Sequence, residues 1–270
     1  DREDIPEMEV EVLSSLKEPS ANRLTTFNSY ALHEKEVYSW ASTGRQLYED
    51  YDYATGNTKN YTLSLPGIVP EDSVWLTTVF AARSIGASTY YSVAVNGKVR
   101  GNATLASISS DNQYYTRATS ASISTSWLGT ESENTIVTVI HTRPSGTSGR
   151  LDYIALNYIR SLTLNAPYLT FRSLASINKE TTFVLSGATA STVVWDVTNP
   201  ANICRMEGSF VGGTYTFTIP AGKLREFVAI TPEASGFDTV ETVGNIANQN
   251  LHSLGATDMI IISPDRKDLM

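Results

Sequence analysis

Apolar and polar residues alternate with a period of two along most of this chain, and almost nowhere with the 3.6-residue period of a helix. Tyr61, Leu63 and Leu65 share one face of a strand that Pro66-Gly67 closes as a turn. Val74–Ala82 reads as a buried strand and Tyr91–Val95 as its successor. Asn96-Gly97, between Val95 and Val99, reads as a hairpin turn because both residues tolerate a positive φ. Tyr114–Ala118, Thr135–His141 and Leu151–Tyr158 continue the series. After Asn165-Ala166-Pro167 come Tyr168–Arg172, Thr181–Leu185, Thr192–Val197, Thr214–Ile219 and Phe227–Ile230, with turns at Asn199-Pro200 and Gly212-Gly213. Trp195 alternates with Val193 and Val197, which predicts that it anchors the core of this second run.

Short strands separated by Ser, Gly, Asn and Thr predict an all-β chain: a jelly-roll-like antiparallel β-sandwich over residues 30–165, then a smaller β-sandwich or sheet over 166–240. Residues 1–29 are an acidic extension whose one alternating run, Met8–Val12, has no partner close by in sequence. It is expected to be the tail of an upstream unit. Residues 241–270 differ in kind. Val243–Leu254 suits a short helix, and Gly255 leads into the apolar run Asp258–Ile262, of the sort found in parallel sheets covered on both faces. They are expected to form a linker and the first strand of an α/β domain.

Composition narrows the partners. With 41% hydrophobic and 18% charged residues the chain is expected to fold rather than stay disordered. A net charge of -8 without a basic stripe sets nucleic acid aside. The longest apolar runs, Thr257–Ile262 and Phe227–Ile230, fall far short of the ~20 residues that cross a bilayer, so no transmembrane segment is expected. Asp1–Val10 lacks the basic and apolar regions of a signal peptide, and a leader is expected to have been removed or to be left out of this sequence.

No catalytic set can be drawn from the candidates. Cys204 is the only cysteine, and none of the three histidines, His33, His141 and His252, is tied to it by a motif, so a small buried hydrophobe is the simpler reading. No histidine pair has the spacing that puts two zinc ligands on one helix face. Glu49, Asp50 and Asp52 offer carboxylates of the type that calcium takes, against the plainer reading of a solvated acidic turn. No acidic pair stands out for glycoside hydrolysis. Trp75, Tyr90, Tyr91, Tyr114, Tyr115 and Trp127 suggest sugar stacking, with Tyr91, Tyr115 and Trp127 as the candidates, although one residue of each Tyr-Tyr pair must face the core. No cofactor is called for.

Four stretches carry a resemblance. NIANQNLHSLGATDMIIISPDRKDL (Asn245–Leu269) resembles the opening of the cysteine peptidase domain of the gingipain family, in its branch of type IX secretion system sortases. HEKEVYSWASTGRQLYED (His33–Asp50), GRLDYIALNYIRSLTLNAPYLTFRS (Gly149–Ser173) and VVWDVTNPANI (Val193–Ile203) resemble the region ahead of that domain. The resemblance implies an exported, outer-surface protein of Bacteroidetes whose parent is a cysteine peptidase processing exported cargo. The family's catalytic His and Cys would then lie beyond residue 270, and the present chain would be a non-catalytic accessory region whose partner is its own peptidase domain. The alternative is a carbohydrate-binding or adhesion module with a surface glycan as partner.

Overall fold

The computed structural model describes residues 10–40, 46–109, 118–129, 132–239, 241 and 244. The chain divides into a compact unit of residues 1–235 and a unit of residues 236–270. The helix expected at Val243–Leu254 and the strand at Asp258–Ile262 lie outside the described residues, as do Tyr114 and Tyr115. Among the described residues no helix is long and apolar enough to cross a membrane.

The structure is all-β. Two short strands come first, β1 (Val12–Leu13) and β2 (Arg23–Leu24). Eight longer ones follow: β3 (Thr26–Glu34), β4 (Thr58–Ser64), β5 (Ser73–Arg83), β6 (Thr89–Val95), β7 (Lys98–Leu105), β8 (Thr119–Leu128), β9 (Asn134–Thr142) and β10 (Ser148–Ser161). These eight form two antiparallel four-stranded sheets, ordered β3-β10-β5-β8 and β4-β9-β6-β7. Consecutive strands switch between the two sheets except β6 and β7, which pair as a hairpin within one sheet, and the two sheets make a β-sandwich. Between the sheets lie Tyr53, Leu65, Leu76, Phe80, Tyr91, Val93, Val139 and Ile154, all shielded from solvent.

Period two explains the burial. In β6, Tyr91, Val93 and Val95 are buried, while Tyr90 on the opposite face is 53% exposed. The hairpin after it turns at Asn96 (φ 48) and Gly97 (φ 79), as their sequence predicts. Two strands escape the apolar pattern. β3 turns Phe27, Ser29, Ala31 and His33 inward and leaves Tyr30 and Leu32 exposed, and β8 alternates serine with Ala121, Ile123, Thr125 and Trp127.

The second sandwich uses β11 (Tyr168–Arg172), β12 (Thr181–Ser186), β13 (Val193–Asp196), β14 (Cys204–Met206), β15 (Ser209–Val211), β16 (Thr214–Ile219) and β17 (Glu226–Ile230). Its sheets are β1-β14-β13-β17-β11 and β15-β16-β12-β2. Phe171, Phe183, Phe217 and Phe227 pack together at its centre, with ring centroids 5.1 to 6.4 Å apart.

Two expectations change here. The N-terminal segment, expected as the tail of an upstream unit, supplies edge strands to this sandwich: Val12 and Leu13 pair in parallel with Arg205 and Met206, and Arg23 and Leu24 with Thr182 and Phe183. The second sandwich is therefore discontinuous, built from residues 10–24 and 162–230, with the eight-stranded sandwich inserted between. Trp195 is not the core anchor either. The inward phase of β13 belongs to Val194 and to Asp196, whose carboxylate pairs with Arg225.

Candidate functional site

In the acidic run at Glu49–Asp52, Glu49 and Asp52 are bound into the protein by hydrogen bonds. The Glu49 side chain is 1% exposed; it accepts hydrogen bonds from Lys59 Nζ at 2.7 Å and Tyr61 OH at 2.6 Å, with His33 Nε2 3.4 Å away. Burial opposes its ionisation, but the bonds from Lys59 and Tyr61 outweigh burial and hold the carboxyl below its ordinary range. Asp52 accepts from Ala54 N, Ser148 Oγ and Gly149 N, and these bonds, with the Arg150 charge, likewise overcome burial and lower it. Asp50 points outward, and its main-chain carbonyl accepts from Arg150 NH1 at 2.6 Å. The Glu49 and Asp52 carboxylates thus face separate sets of partners and Asp50 faces solvent, so the three do not converge as calcium ligands, and of the three only Asp50 fits the solvated turn. Among the described residues no group of three His, Cys, Asp or Glu comes together to hold a metal.

The Arg150 guanidinium lies 3.3 Å from the Tyr38 ring centroid, while its NH1 reaches the carbonyls of Glu49 and Asp50. From β10 it ties the loop after β3 to the sheet.

Among the described residues, neither His33 nor His141 meets the cysteine. His141 on β9 is buried, stacked on Tyr91 with centroids 4.1 Å apart and planes 5° from parallel. Burial, and then the charge of Arg143, lower its pKa to about 4, so it is a neutral ring inside the core. His252 lies outside the described residues. Cys204, on β14 of the other sandwich, faces Glu11 Oε2 at 3.5 Å; burial and that carboxylate push its thiol up, the opposite of what a nucleophile needs.

Of the sugar-stacking candidates, Tyr91 is corrected: it is fully buried, flat between Phe80 and His141. Its phase with Val93 and Val95 was the signal that it faces inward. Trp127 is half-buried against the core, with the Arg100 guanidinium 3.9 Å over its ring. Tyr115 lies outside the described residues.

An aromatic surface does exist, on Trp75, which is among the aromatics read from the sequence but not among its favoured three, and on Tyr30, which is not among them. It is the outer face of sheet β3-β10-β5-β8. Tyr30, Asn157, Trp75 and Ser126 stand opposite one another in one cross-strand row, and Leu32, Ala155, Thr77 and Ser124 in the next. Tyr30 is 61% exposed, Leu32 50% and Trp75 39%. Neither row contains a charged residue. Tyr30 also borders a groove of about 240 Å³ between β3 and the β11–β17 pair, lined by Asn28, Thr170, Val197 and the exposed ion pair Arg172–Glu226.

This architecture has a counterpart among solved structures. The chain superposes on the crystal structure of dimeric latent PorU from Porphyromonas gingivalis with a TM-score of 0.75 over 92% of its length, at 20% identity. The chain has a PorU-like fold. It spans 24% of the length of that PorU chain. The CBM36-1 domain of a multidomain xylanase from the hindgut metagenome of Trinervitermes trinervoides matches 48% of this chain and 95% of its own, with a TM-score of 0.28 and 10% identity. A CBM22-1-CBM22-2 tandem from Paenibacillus barcinonensis Xyn10C covers 81% of this chain and 88% of its own, with a TM-score of 0.27 and 10% identity. Scores of that size carry no argument about this chain. No family model and no curated protein matches the sequence.

Proposed function

We propose that this chain is the non-catalytic, β-rich region ahead of a gingipain-like cysteine peptidase domain in a sortase of type IX secretion, and that it supports or positions that domain. The observation that carries the reading is the likeness to latent PorU over 92% of the chain. The resemblance of Asn245–Leu269 to the opening of the peptidase domain adds to it. In this reading the nucleophile and its histidine belong to sequence after residue 270, and the protein is exported and works at the outer membrane surface on secreted cargo. Cys204 takes no part, in keeping with its carboxylate neighbour and raised thiol.

The test is to express the reading frame through the peptidase domain, with and without residues 1–235, and to measure peptide cleavage that thiol-directed reagents block. The expected result is cysteine-dependent cleavage by the longer protein, with loss of activity or of thermal stability in the shorter one. A shorter protein that is equally stable and equally active would refute the accessory role.

A further inference from the structure

The open face of sheet β3-β10-β5-β8 has a composition that needs an explanation. Its two central rows put two aromatic rings and one leucine beside an amide, hydroxyls and no charge. The sheet's opposite face is already filled by core residues, so packing among the described residues does not account for Tyr30 and Trp75. We propose that this face is a carbohydrate-binding site for a neutral glycan chain, with Tyr30 and Trp75 as stacking platforms.

The register sets the spacing. Tyr30 and Trp75 lie on β3 and β5, on either side of Asn157 on β10. Neighbouring strands are about 4.8 Å apart, so the two rings stand on backbones roughly 10 Å apart. Two sugars of one extended oligosaccharide can each cover a ring over that distance. The apolar CH face of a pyranose desolvates an aromatic ring, and its hydroxyls require neutral partners that donate and accept in any direction. Asn157 between the rings, and Thr77, Ser124 and Ser126 beside Trp75, are of that type. Past Tyr30 the surface continues into the groove of about 240 Å³, where Asn28, Thr170 and the Arg172–Glu226 pair would meet a further sugar.

The charge balance selects neutral sugars over acidic ones. The chain carries a net charge of -8, and the two rows offer no cation to offset it. Arg172 at the groove already has Glu226 as its partner. This inference does not depend on the accessory role proposed above, since a chain can support a peptidase and bind no glycan, or the reverse.

The test uses the whole 270-residue chain in native affinity electrophoresis, through gels holding xylan, mannan, mixed-linkage β-glucan or dextran, backed by a glycan array that includes neutral bacterial surface chains. Retardation by at least one polysaccharide, or an array hit, is expected. A hexasaccharide of the same type then titrates the tryptophan fluorescence. Trp75→Ala and Tyr30→Ala should each weaken binding on the order of tenfold. Asn157→Ala, which keeps both rings, should weaken it severalfold, and Tyr90→Ala, on the outer face of the other sheet, should leave it unchanged. Thermal unfolding of each variant separates lost binding from lost fold, and Asn157→Ala still decides if an aromatic variant is unstable. No retardation and no array hit would overturn the proposal, and point to a protein as the occupant of this face. Binding that survives loss of both Tyr30 and Trp75 would overturn it as well.

Discussion

His141 shows how one ring can set the acid tolerance of a sandwich. Both of its nitrogens are buried without a hydrogen-bond partner, and its pKa falls from 6.5 to about 4 on folding. Above pH 6.5 the ring is neutral in both folded and unfolded chains and pH has no leverage through it. Between 6.5 and about 4 the unfolded chain takes up a proton that the folded core refuses, so stability falls as the pH falls. Glu49 and Asp52 act further down. Their lowered pKa values stabilise the fold above the ordinary carboxylate range, and that contribution is lost as the pH drops through the folded values. Urea unfolding at pH 8 and at pH 5 should therefore show a loss of stability on acidification that is markedly smaller in His141→Phe. An equal loss in both proteins would mean that His141 does not carry it. The inward place of His141 is legible in its phase with Val137 and Val139. Its stacking on Tyr91 across β6 and β9 is not, because it depends on a register set by the whole sheet.

Turns and strand phase were the most readable features at the scale of elements, because they depend on local chemistry. Asn96-Gly97 forms its hairpin with both residues at positive φ, where a β-carbon is disfavoured. Gly97→Ala should cost about 1 kcal/mol in chemical denaturation, from the left-handed conformation alone, since nothing lies within 4 Å of the added carbon. β11 and β16 fall where their alternation puts them, whereas β3 and β8 are hidden by composition. In β3 the exposed positions, Tyr30 and Leu32, are as apolar as the buried ones, so a hydrophobic pattern gives no phase. In β8 the serines at 120, 122, 124 and 126 alternate strictly with larger residues, a polar signal that a search for apolar runs passes over. The aromatic face is built from these two strands together with β5 and β10. That is why two of the three residues favoured from sequence, Tyr91 and Trp127, were inward-facing, the third, Tyr115, lying outside the described residues.

At the scale of the molecule, β3 serves both cores. Its Phe27 sits in the second core beside Phe171, with ring centroids 6.1 Å apart, while Ala31 packs against the first. Leu162 and Leu164, just past β10, also belong to the second core. The two sandwiches should therefore unfold in one transition, and Phe27→Ala should lower the stability of the whole by about 3–4 kcal/mol without changing the number of steps. Two transitions by calorimetry, with only one of them moved by the substitution, would show that the cores are independent. A boundary drawn from sequence at residue 30 divides this strand. Pattern alone could not show that, because the pairing of Val12 with Arg205 and of Arg23 with Thr182, 193 and 159 positions later, leaves no local trace.

The insertion of one sandwich into the other also fixes how the unit carries mechanical load. β1 and β17, near its two ends, belong to the same five-stranded sheet, β1-β14-β13-β17-β11. Tension applied at residues 10 and 235 is met by the hydrogen bonds of that sheet, and the eight-stranded sandwich hangs outside the line of force like a pendant on a chain. It can lengthen its loops or change its outer face without altering the sheet that bears the pull.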